Sequence, residues 1–419
     1  MNKRTNKEEP KLNKKGSIKE KESVKEPDFL DEDDNAKYED KRYLRKLRAH
    51  RRTIFLRVMA VLLIVVGLVV YFYISFTTKS YTDYEVVNTV ERELVSTAKM
   101  LKFGNNFLTY SADGIHCTDS RGNDIWSCPY EMQNPMVEMC GEYVAVADYD
   151  GRTIYVFNSA GQTSTIQTSN PIRMIKISAK GVVVCVVDGG DVTPIYLYYE
   201  GQEIVSFRTT MAKSGYPVAI GISDNSKLVG VSYLYLNNGE MTTKVAFYNF
   251  GEVGQNETDN LVSGYDYRGE VVPVIEFLDD STAFALANDR LMFYQGREKP
   301  SNTANILLHD KVRSVFFGDS YVGLVYNNTD GEAKYRMDVY STAGKLENSI
   351  YFDLDYREIF FHNNRIVIYN SAGALIYTVQ GNLKFEGDFD EPVALMIPTN
   401  SSNRFLLVTA EAIKSIVLK

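Results

Sequence analysis

The chain has 419 residues, of which 44% are hydrophobic and 24% are charged, and its formal net charge is −8. These fractions exclude a wholly disordered chain, and only four cysteines exclude a scaffold built on disulfide bonds. The 28 glycines and 11 prolines exclude a collagen-like or low-complexity protein.

The N-terminal part differs in composition and charge from the rest. Residues 1–40 contain few large apolar side chains, so they bury too little surface to offset chain entropy and we expect disorder. Residues 41–57 contain eight basic residues and no acidic one. Residues 1–57 carry 18 basic and 12 acidic side chains, whereas the remaining 362 residues carry 28 and 42. The C-terminal part therefore has a net charge of −14.

The segment 58–76 predicts a transmembrane helix. It contains no charged residue, and its nineteen residues span about 29 Å, close to the ~30 Å hydrocarbon core of a bilayer. A cleavable signal peptide has a shorter apolar region and small residues after it, whereas this segment ends in aromatic residues that suit a membrane interface. We predict an uncleaved signal anchor in the plasma membrane. The preceding basic segment predicts a cytoplasmic N-terminus and an extracytoplasmic C-terminal domain.

The sequence of residues 80–419 predicts repeated β-structure. Short runs rich in Val, Ile, Tyr and Phe alternate with Gly, Asn, Asp and Ser, which is typical of an all-β domain. The segments Phe103–Tyr110 and Phe361–Tyr369 resemble each other, and the same eight-residue spacing follows in Gly114–Gly122 and Gly373–Gly381. These matches indicate repeated hairpins with shared turns.

The repeats predict a β-propeller. Each unit holds four strands, and the units begin near these residues: Met100, Met136, Ile172, Pro217, Val271, Val312, Arg357 and Val393. Four antiparallel strands every 36 to 54 residues are typical of propeller blades. The last unit has room for three strands, so we predict that Tyr84–Glu91 supplies its outer strand and closes the ring. We predict eight blades, with seven as the alternative because the fourth unit is irregular.

This organisation resembles β-propellers of the pyrroloquinoline-quinone and WD40 types. The layout is also similar to a Firmicutes family of single-pass membrane proteins with an extracytoplasmic propeller. That resemblance implies a Gram-positive cell surface and no particular activity. The chain departs from the quinone enzymes because Trp126 is its single tryptophan, and from WD40 proteins because it has no Gly-His or Trp-Asp pair.

Motifs for catalysis, metals or cofactors are missing from the sequence. The four histidines His50, His116, His309 and His362 have no Cys or carboxylate at ligand spacing, and no phosphate-binding loop or nucleophile motif occurs. We therefore predict no enzyme activity, no catalytic residue, no metal and no cofactor. The sequence does not decide whether disulfide bonds form between the four cysteines that are predicted to lie outside the cytoplasm. These are Cys117, Cys128, Cys140 and Cys185. The acidic propeller also disfavours nucleic-acid binding.

The segment between Tyr248 and Val271 breaks the repeat and carries Tyr265, Tyr267 and Arg268, residue types that favour protein interfaces. We predict that these three residues bind a partner. The leading hypothesis is a membrane-tethered interaction or scaffold module that binds a protein or a cell-envelope component. The oligomeric state stays open.

Two alternatives remain for the function. The first is a ligand sensor or adaptor that signals through the cytoplasmic tail. The second is an enzyme whose site lies in the propeller channel, where the first strands of the blades carry these charged residues: Glu138, Arg173, Lys176, Glu276, Arg313 and Glu358.

Overall fold

A computed structural model describes residues 32–92, 98–210, 215–329, 331 and 333–419. The chain divides into two compact units, Met1–Phe76 and Thr77–Lys419. Residues 1–31, which make up most of the segment predicted to be disordered, lie outside the described residues.

The first unit contributes a long helix, α1 (Glu32–Thr78). It starts well before the predicted apolar segment 58–76 and takes in the basic segment 41–57 and the last residues of the predicted tail. The sequence explains this extension, because neither glycine nor proline occurs between Pro27 and Gly67 and Lys, Arg, Glu, Leu and Ala favour helix. The part of α1 from Tyr43 to Phe72 is long and apolar enough to cross a membrane, and the most apolar window within it is not buried.

The second unit is an eight-bladed β-propeller, which confirms the predicted fold class. It begins with β1 (Tyr84–Glu91) and continues through blades 1 to 4. Their strands are β2 (Lys99–Phe103), β3 (Asn106–Tyr110), β4 (Gly114–Thr118), β5 (Asp124–Pro129); β6 (Pro135–Cys140), β7 (Tyr143–Asp148), β8 (Thr153–Asn158), β9 (Gly161–Gln167); β10 (Ile172–Ile177), β11 (Val183–Val187), β12 (Val192–Tyr199), β13 (Gln202–Thr210); β14 (Tyr216–Ile222), β15 (Leu228–Asn237), β16 (Glu240–Asn249) and β17 (Leu261–Arg268).

Blades 5 to 8 follow the same antiparallel order. Their strands are β18 (Val274–Phe277), β19 (Thr282–Leu286), β20 (Arg290–Gln295), β21 (Ser301–Leu307); β22 (Val312–Gly318), β23 (Tyr321–Asn327), β24 (Tyr335–Ser341), β25 (Leu346–Phe352); β26 (Glu358–His362), β27 (Arg365–Tyr369), β28 (Gly373–Thr378), β29 (Leu383–Asp388); β30 (Val393–Pro398), β31 (Arg404–Thr409) and β32 (Ala412–Leu418).

The eighth blade is completed by the N-terminal strand, as predicted. Its sheet has the order β1-β32-β31-β30, and the register of β1 runs from Tyr84 opposite Leu418 to Glu91 opposite Ala412. A second contact holds the chain just before β1, where the Tyr81 amide donates to the Lys384 carbonyl at 2.8 Å. Both ends of the propeller are therefore fixed at blades 7 and 8.

The core consists of apolar layers between neighbouring blades. Each sheet is covered on both faces, so the second strands are nearly continuous apolar runs. All five residues of β11, for example, are buried. Side chains from blades 2 and 3, such as Val156 and Ile175, share one layer, and those of blades 7 and 8, such as Ile376 and Phe405, share another.

The propeller has two faces that differ in their loops. We call the side with the blade-to-blade connections and the turns between second and third strands the connection face. The opposite side, with the remaining turns, is the entry face, because β1 starts there at Tyr84, opposite the end of β32. The loop between β16 and β17 also lies on the entry face and contains two short 3-10 turns, Gly254–Asn256 and Thr258–Asn260.

Loss of β1 is expected to destabilise the propeller and to expose β32 as an open edge. Seven residue pairs join β1 and β32, so at about 1 kcal/mol per ladder hydrogen bond the loss is on the order of 5 kcal/mol. Urea unfolding of residues 79–419 and 98–419 measures the difference. The control is Val87→Thr in the longer chain, because Val87 is exposed within β1. Equal unfolding midpoints for the two chains would contradict closure by β1.

Candidate functional site

The first strands of the blades surround the central channel and bring three charged side chains together. Lys176 on β10 donates to Glu138 on β6 at 3.0 Å and to Glu276 on β18 at 2.5 Å. This channel triad joins blades 2, 3 and 5. The sequence pattern predicts first strands for all three residues but gives no sign that their side chains pair.

A glycine in blade 4 explains how Lys176 reaches across to blade 5. Glu138, Lys176 and Glu276 pair with the second strands of their blades at matching positions, and the matching residue of blade 4 is Gly221. A Cβ atom on Gly221 would lie 2.8 Å from the Ile275 carbonyl oxygen. The missing side chain thus permits close packing of blades 4 and 5, which brings Glu276 within reach of Lys176.

The triad holds one cation between two carboxylates in a poorly hydrated place. Burial by itself lowers the pKa of Lys176, but Glu276 and Glu138 outweigh it, so the pKa is raised. Burial raises the pKa of Glu276 to about 7, although Lys176 opposes the shift, and Glu138 adds to it. A carboxyl group with this pKa changes its charge near neutral pH.

Cavities lie on both sides of the triad. A cavity of about 450 Å³ is lined by the starts of the first strands, and another of about 420 Å³ is lined by their ends and by Phe317 and Asp319. All three triad residues line both cavities, so the triad separates the two halves of the channel. In the second cavity the Cys140 thiol donates to Asp224 at 3.2 Å. Burial raises the pKa of Asp224, and the nearby carboxylates Asp280 and Asp319 raise it further.

The other three charged residues named for the channel do not join the triad. Arg173 forms ion pairs with Asp188, at 2.5 Å, and with Asp150. Arg313 lies over the rings of Tyr335 and Tyr356 at 5.3 and 5.9 Å. Glu358 accepts a hydrogen bond from the Tyr369 hydroxyl at 2.8 Å.

The propeller sequence matches a family model described as a family of unknown function, DUF5711, over residues 77–418. The chain belongs to the DUF5711 family. The matched region covers the second unit except Lys419, and it includes β1. No curated protein matches the chain.

Solved structures with a similar fold are distant in sequence. BamB from Moraxella catarrhalis is 11% identical, with 80% of this chain and 100% of that chain covered, at a TM-score of 0.49. Sqt1 from Saccharomyces cerevisiae is also 11% identical, with 82% and 100% covered, at 0.49. Hydrazine synthase from Kuenenia stuttgartiensis is 10% identical, with 65% and 91% covered, at 0.44. At these identities and TM-scores the likenesses say nothing about function.

The residues predicted to bind a partner lie in a strand of this DUF5711 propeller. Tyr265, Tyr267 and Arg268 belong to β17, whereas the sequence suggested a projecting loop. The Tyr267 and Tyr294 hydroxyls are 2.6 Å apart, and the Tyr265 hydroxyl donates to the Pro300 carbonyl at 3.0 Å. Both tyrosines therefore pack against blade 5, and Arg268 alone of the three is exposed. The alternation of tyrosines with Asp266 and Arg268 is the strand signal.

A hairpin of blade 4 projects where the sequence did not suggest it. β15 and β16 are ten residues each and pair up to Asn237 opposite Glu240. The inner neighbour β14 reaches only Leu234, and the outer neighbour β17 reaches only Thr242. We call residues 235–241 the blade-4 ribbon. The Asn-Gly pair at its tip was the available signal, since this dipeptide favours tight hairpins.

The thiols of the DUF5711 chain form no disulfide bond among the residues that the structure describes. Cys117, Cys128, Cys140 and Cys185 are all free. Burial raises the pKa of Cys117 to about 11 and that of Cys140 to about 12, so these thiols are not ionised at neutral pH. Among the described residues, no group of three or more His, Cys, Asp or Glu side chains is placed to hold a metal ion.

Glu276 is expected to make stability depend on pH. Its pKa rises from 4.5 in the unfolded chain to about 7, so the folded chain binds more protons between these values. Its contribution lowers the free energy of unfolding as pH rises from about 4.5 to about 7, by on the order of 3 kcal/mol. Glu276→Gln should remove this slope, and the exposed Glu203→Gln should keep it. Chemical unfolding across this range measures the slope, and equal profiles for wild type and Glu276→Gln would refute it.

Proposed function

We propose that this DUF5711 protein is a single-pass plasma-membrane protein whose propeller works as an extracytoplasmic interaction module. In this proposal the module binds a protein or a cell-envelope component and performs no catalysis. The observation that carries it is the unburied apolar part of α1, which the chain joins to a closed propeller. An apolar helix that the described residues leave uncovered needs lipid or another apolar partner.

The charge pattern supports the orientation. The eight basic residues of 41–57 all precede the apolar stretch, and the acidic propeller follows it. Basic residues beside a membrane helix stay on the cytoplasmic side, so the N-terminus is cytoplasmic and the propeller is outside. The Gram-positive cell surface belongs to the same proposal and is supported by the resemblance in layout.

The channel geometry favours binding over catalysis. Its triad charges bond to one another, and the Cys140 thiol beside them has a raised pKa. A catalytic site needs a nucleophile or base that is free to contact a substrate. The connection face presents clefts of about 460 and 880 Å³. Surfaces of this kind suit partner recognition in repeat folds.

The orientation is tested with epitope tags on full-length protein in protoplasts of the source organism. A tag after Lys419 should bind antibody on intact protoplasts, and a tag before Met1 should bind only after permeabilisation. The control replaces the basic residues of 41–57 with Gln, which should allow both orientations because the charge bias is lost. An N-terminal tag that is accessible on intact protoplasts would contradict the proposal.

The interaction is tested by affinity purification from source membranes. Full-length protein in mild detergent should retain a defined protein or envelope polymer, and the purified component should bind again in a saturable way. A chain that ends at residue 80 is the control, because it keeps the helix and lacks the propeller. If this control retains the same material, or if the full-length protein retains nothing, the interaction module is wrong. Turnover of a retained small molecule would favour an enzyme.

A further inference from the structure

The blade-4 ribbon is preorganised and presents an apolar pair. Its turn residues Asn238 and Gly239 have φ values of 52° and 85°, as a type I′ turn requires, so its twist matches the strands. Leu236 and Met241 stand directly opposite each other and are 74% and 45% exposed. A hairpin whose turn already has the required backbone conformation loses less entropy on binding than an irregular loop does, which favours its use as a contact.

The apolar pair faces blade 5. Alternation along β15 puts Leu236 on the same side as Ser232, whose hydroxyl donates to the Val272 carbonyl at 2.7 Å. On β16, Met241 shares a side with Thr243, which donates to the Glu270 carbonyl at 2.6 Å. The Gly269 amide also donates to the Met241 carbonyl at 2.7 Å. The ribbon is thus joined to the connection between blades 4 and 5.

The same connection lines a cleft between blades 5 and 6. The cleft has a volume of about 460 Å³, and Val271, Pro273, Leu286 and Val312 make much of its lining apolar. The ribbon tip is a turn between second and third strands, and the cleft lies at the starts of first strands. Both are therefore on the connection face.

Two cations on the blade-6 side of the cleft form no salt bridge in the part of the chain that the structure describes. Lys311 and Arg313 are exposed cleft residues, and no ion pair among the described residues includes either of them. The Arg313 guanidinium donates to the Asn327 side-chain oxygen at 3.2 Å and lies over the rings of Tyr335 and Tyr356, which pack between blades 6 and 7. The pKa of Asp355 is lowered by Lys334 and, through its charge alone, by Arg313. The neighbouring Asp310 is paired with Arg336 at 2.8 Å. Lys311 and Arg313 thus place positive charge at the blade-6 rim of the cleft, on an otherwise acidic propeller.

We propose that the blade-4 ribbon and this cleft form one docking surface for an acidic, apolar segment of a partner protein. Apolar side chains of the segment pack against Leu236, Met241 and the cleft, and its carboxylates pair with Lys311 and Arg313. Complementary charge selects such a segment, because carboxylates pair with these two cations whereas basic segments are repelled by them. The proposal rests on the interaction module proposed above and names its partner class.

The test selects random displayed peptides on full-length protein in lipid nanodiscs. The ribbon variant is Leu236→Ser with Met241→Ser, and the cation variant is Lys311→Gln with Arg313→Gln. The matched control is Ile204→Ser with Leu307→Ser, because these side chains on outer strands are 52% and 58% exposed. Circular dichroism and unfolding midpoints check that each variant is folded. Binding of the selected peptides to each variant is then measured at low and high salt. Binding of the same variants to phosphatidylglycerol vesicles is measured for comparison.

The expected result is selection of peptides rich in Asp, Glu and large apolar residues. Their affinity should fall about tenfold or more in each docking variant, should fall with salt, and should not change in the control. Basic or neutral peptides, equal binding by all variants, no selection, or binding to vesicles alone would overturn the proposal. If the variants still retain the partner found in source membranes, the docking surface is wrong while the interaction module stands.

Discussion

Closure of the ring by β1 is the constraint on which the rest of the propeller depends. Without it, blade 8 would have three strands and β32 would leave its backbone groups unpaired. The pairing of Tyr84 with Leu418 joins the two ends of the unit. The entropic cost of closing so long a loop is modest, because this cost grows only slowly with loop length. The same strand follows α1 in the chain. The strand that completes the fold is therefore also the first strand after the helix in the chain.

Much of this architecture is readable from local sequence signals. Each blade repeats a hairpin pattern that depends on turn chemistry and on alternation, and both are local properties. The blade count followed from a global argument, since the unit beginning at Val393 was one strand short and Tyr84–Glu91 was one strand too many. The first residue of α1 is harder to predict from the sequence. Composition marks where lipid would begin, near Val58, but helix formation continues through any stretch without breakers and so reaches back to Glu32.

The sequence does not predict the contacts between blades, for a different reason. Alternation tells which side of a sheet a residue faces, but it does not tell which blade a long side chain reaches. Lys176 bonds to Glu276 one hundred residues later, and this depends on the small Gly221 in the blade between them. The irregularity of the fourth unit suggests an exposed interface anchor at Tyr265 and Tyr267. Its additional residues in fact divide between the β16–β17 loop and the ribbon, and the tyrosines fill the layer against blade 5.

The charged side chains of this propeller fall into two classes, those paired with one another and those exposed for contact with a partner. Glu138, Lys176 and Glu276 satisfy one another, and Arg173 is held by Asp150 and Asp188. Such groups contribute to rigidity, and their removal leaves an uncompensated charge in a poorly hydrated place. Lys311 and Arg313 differ because they are exposed beside apolar surface and oppose the net charge of the unit. These cations and the blade-4 ribbon lie on blades 4 to 6, whereas β1 pairs with β32 in blade 8. A partner can therefore approach them without meeting the segment that closes the ring.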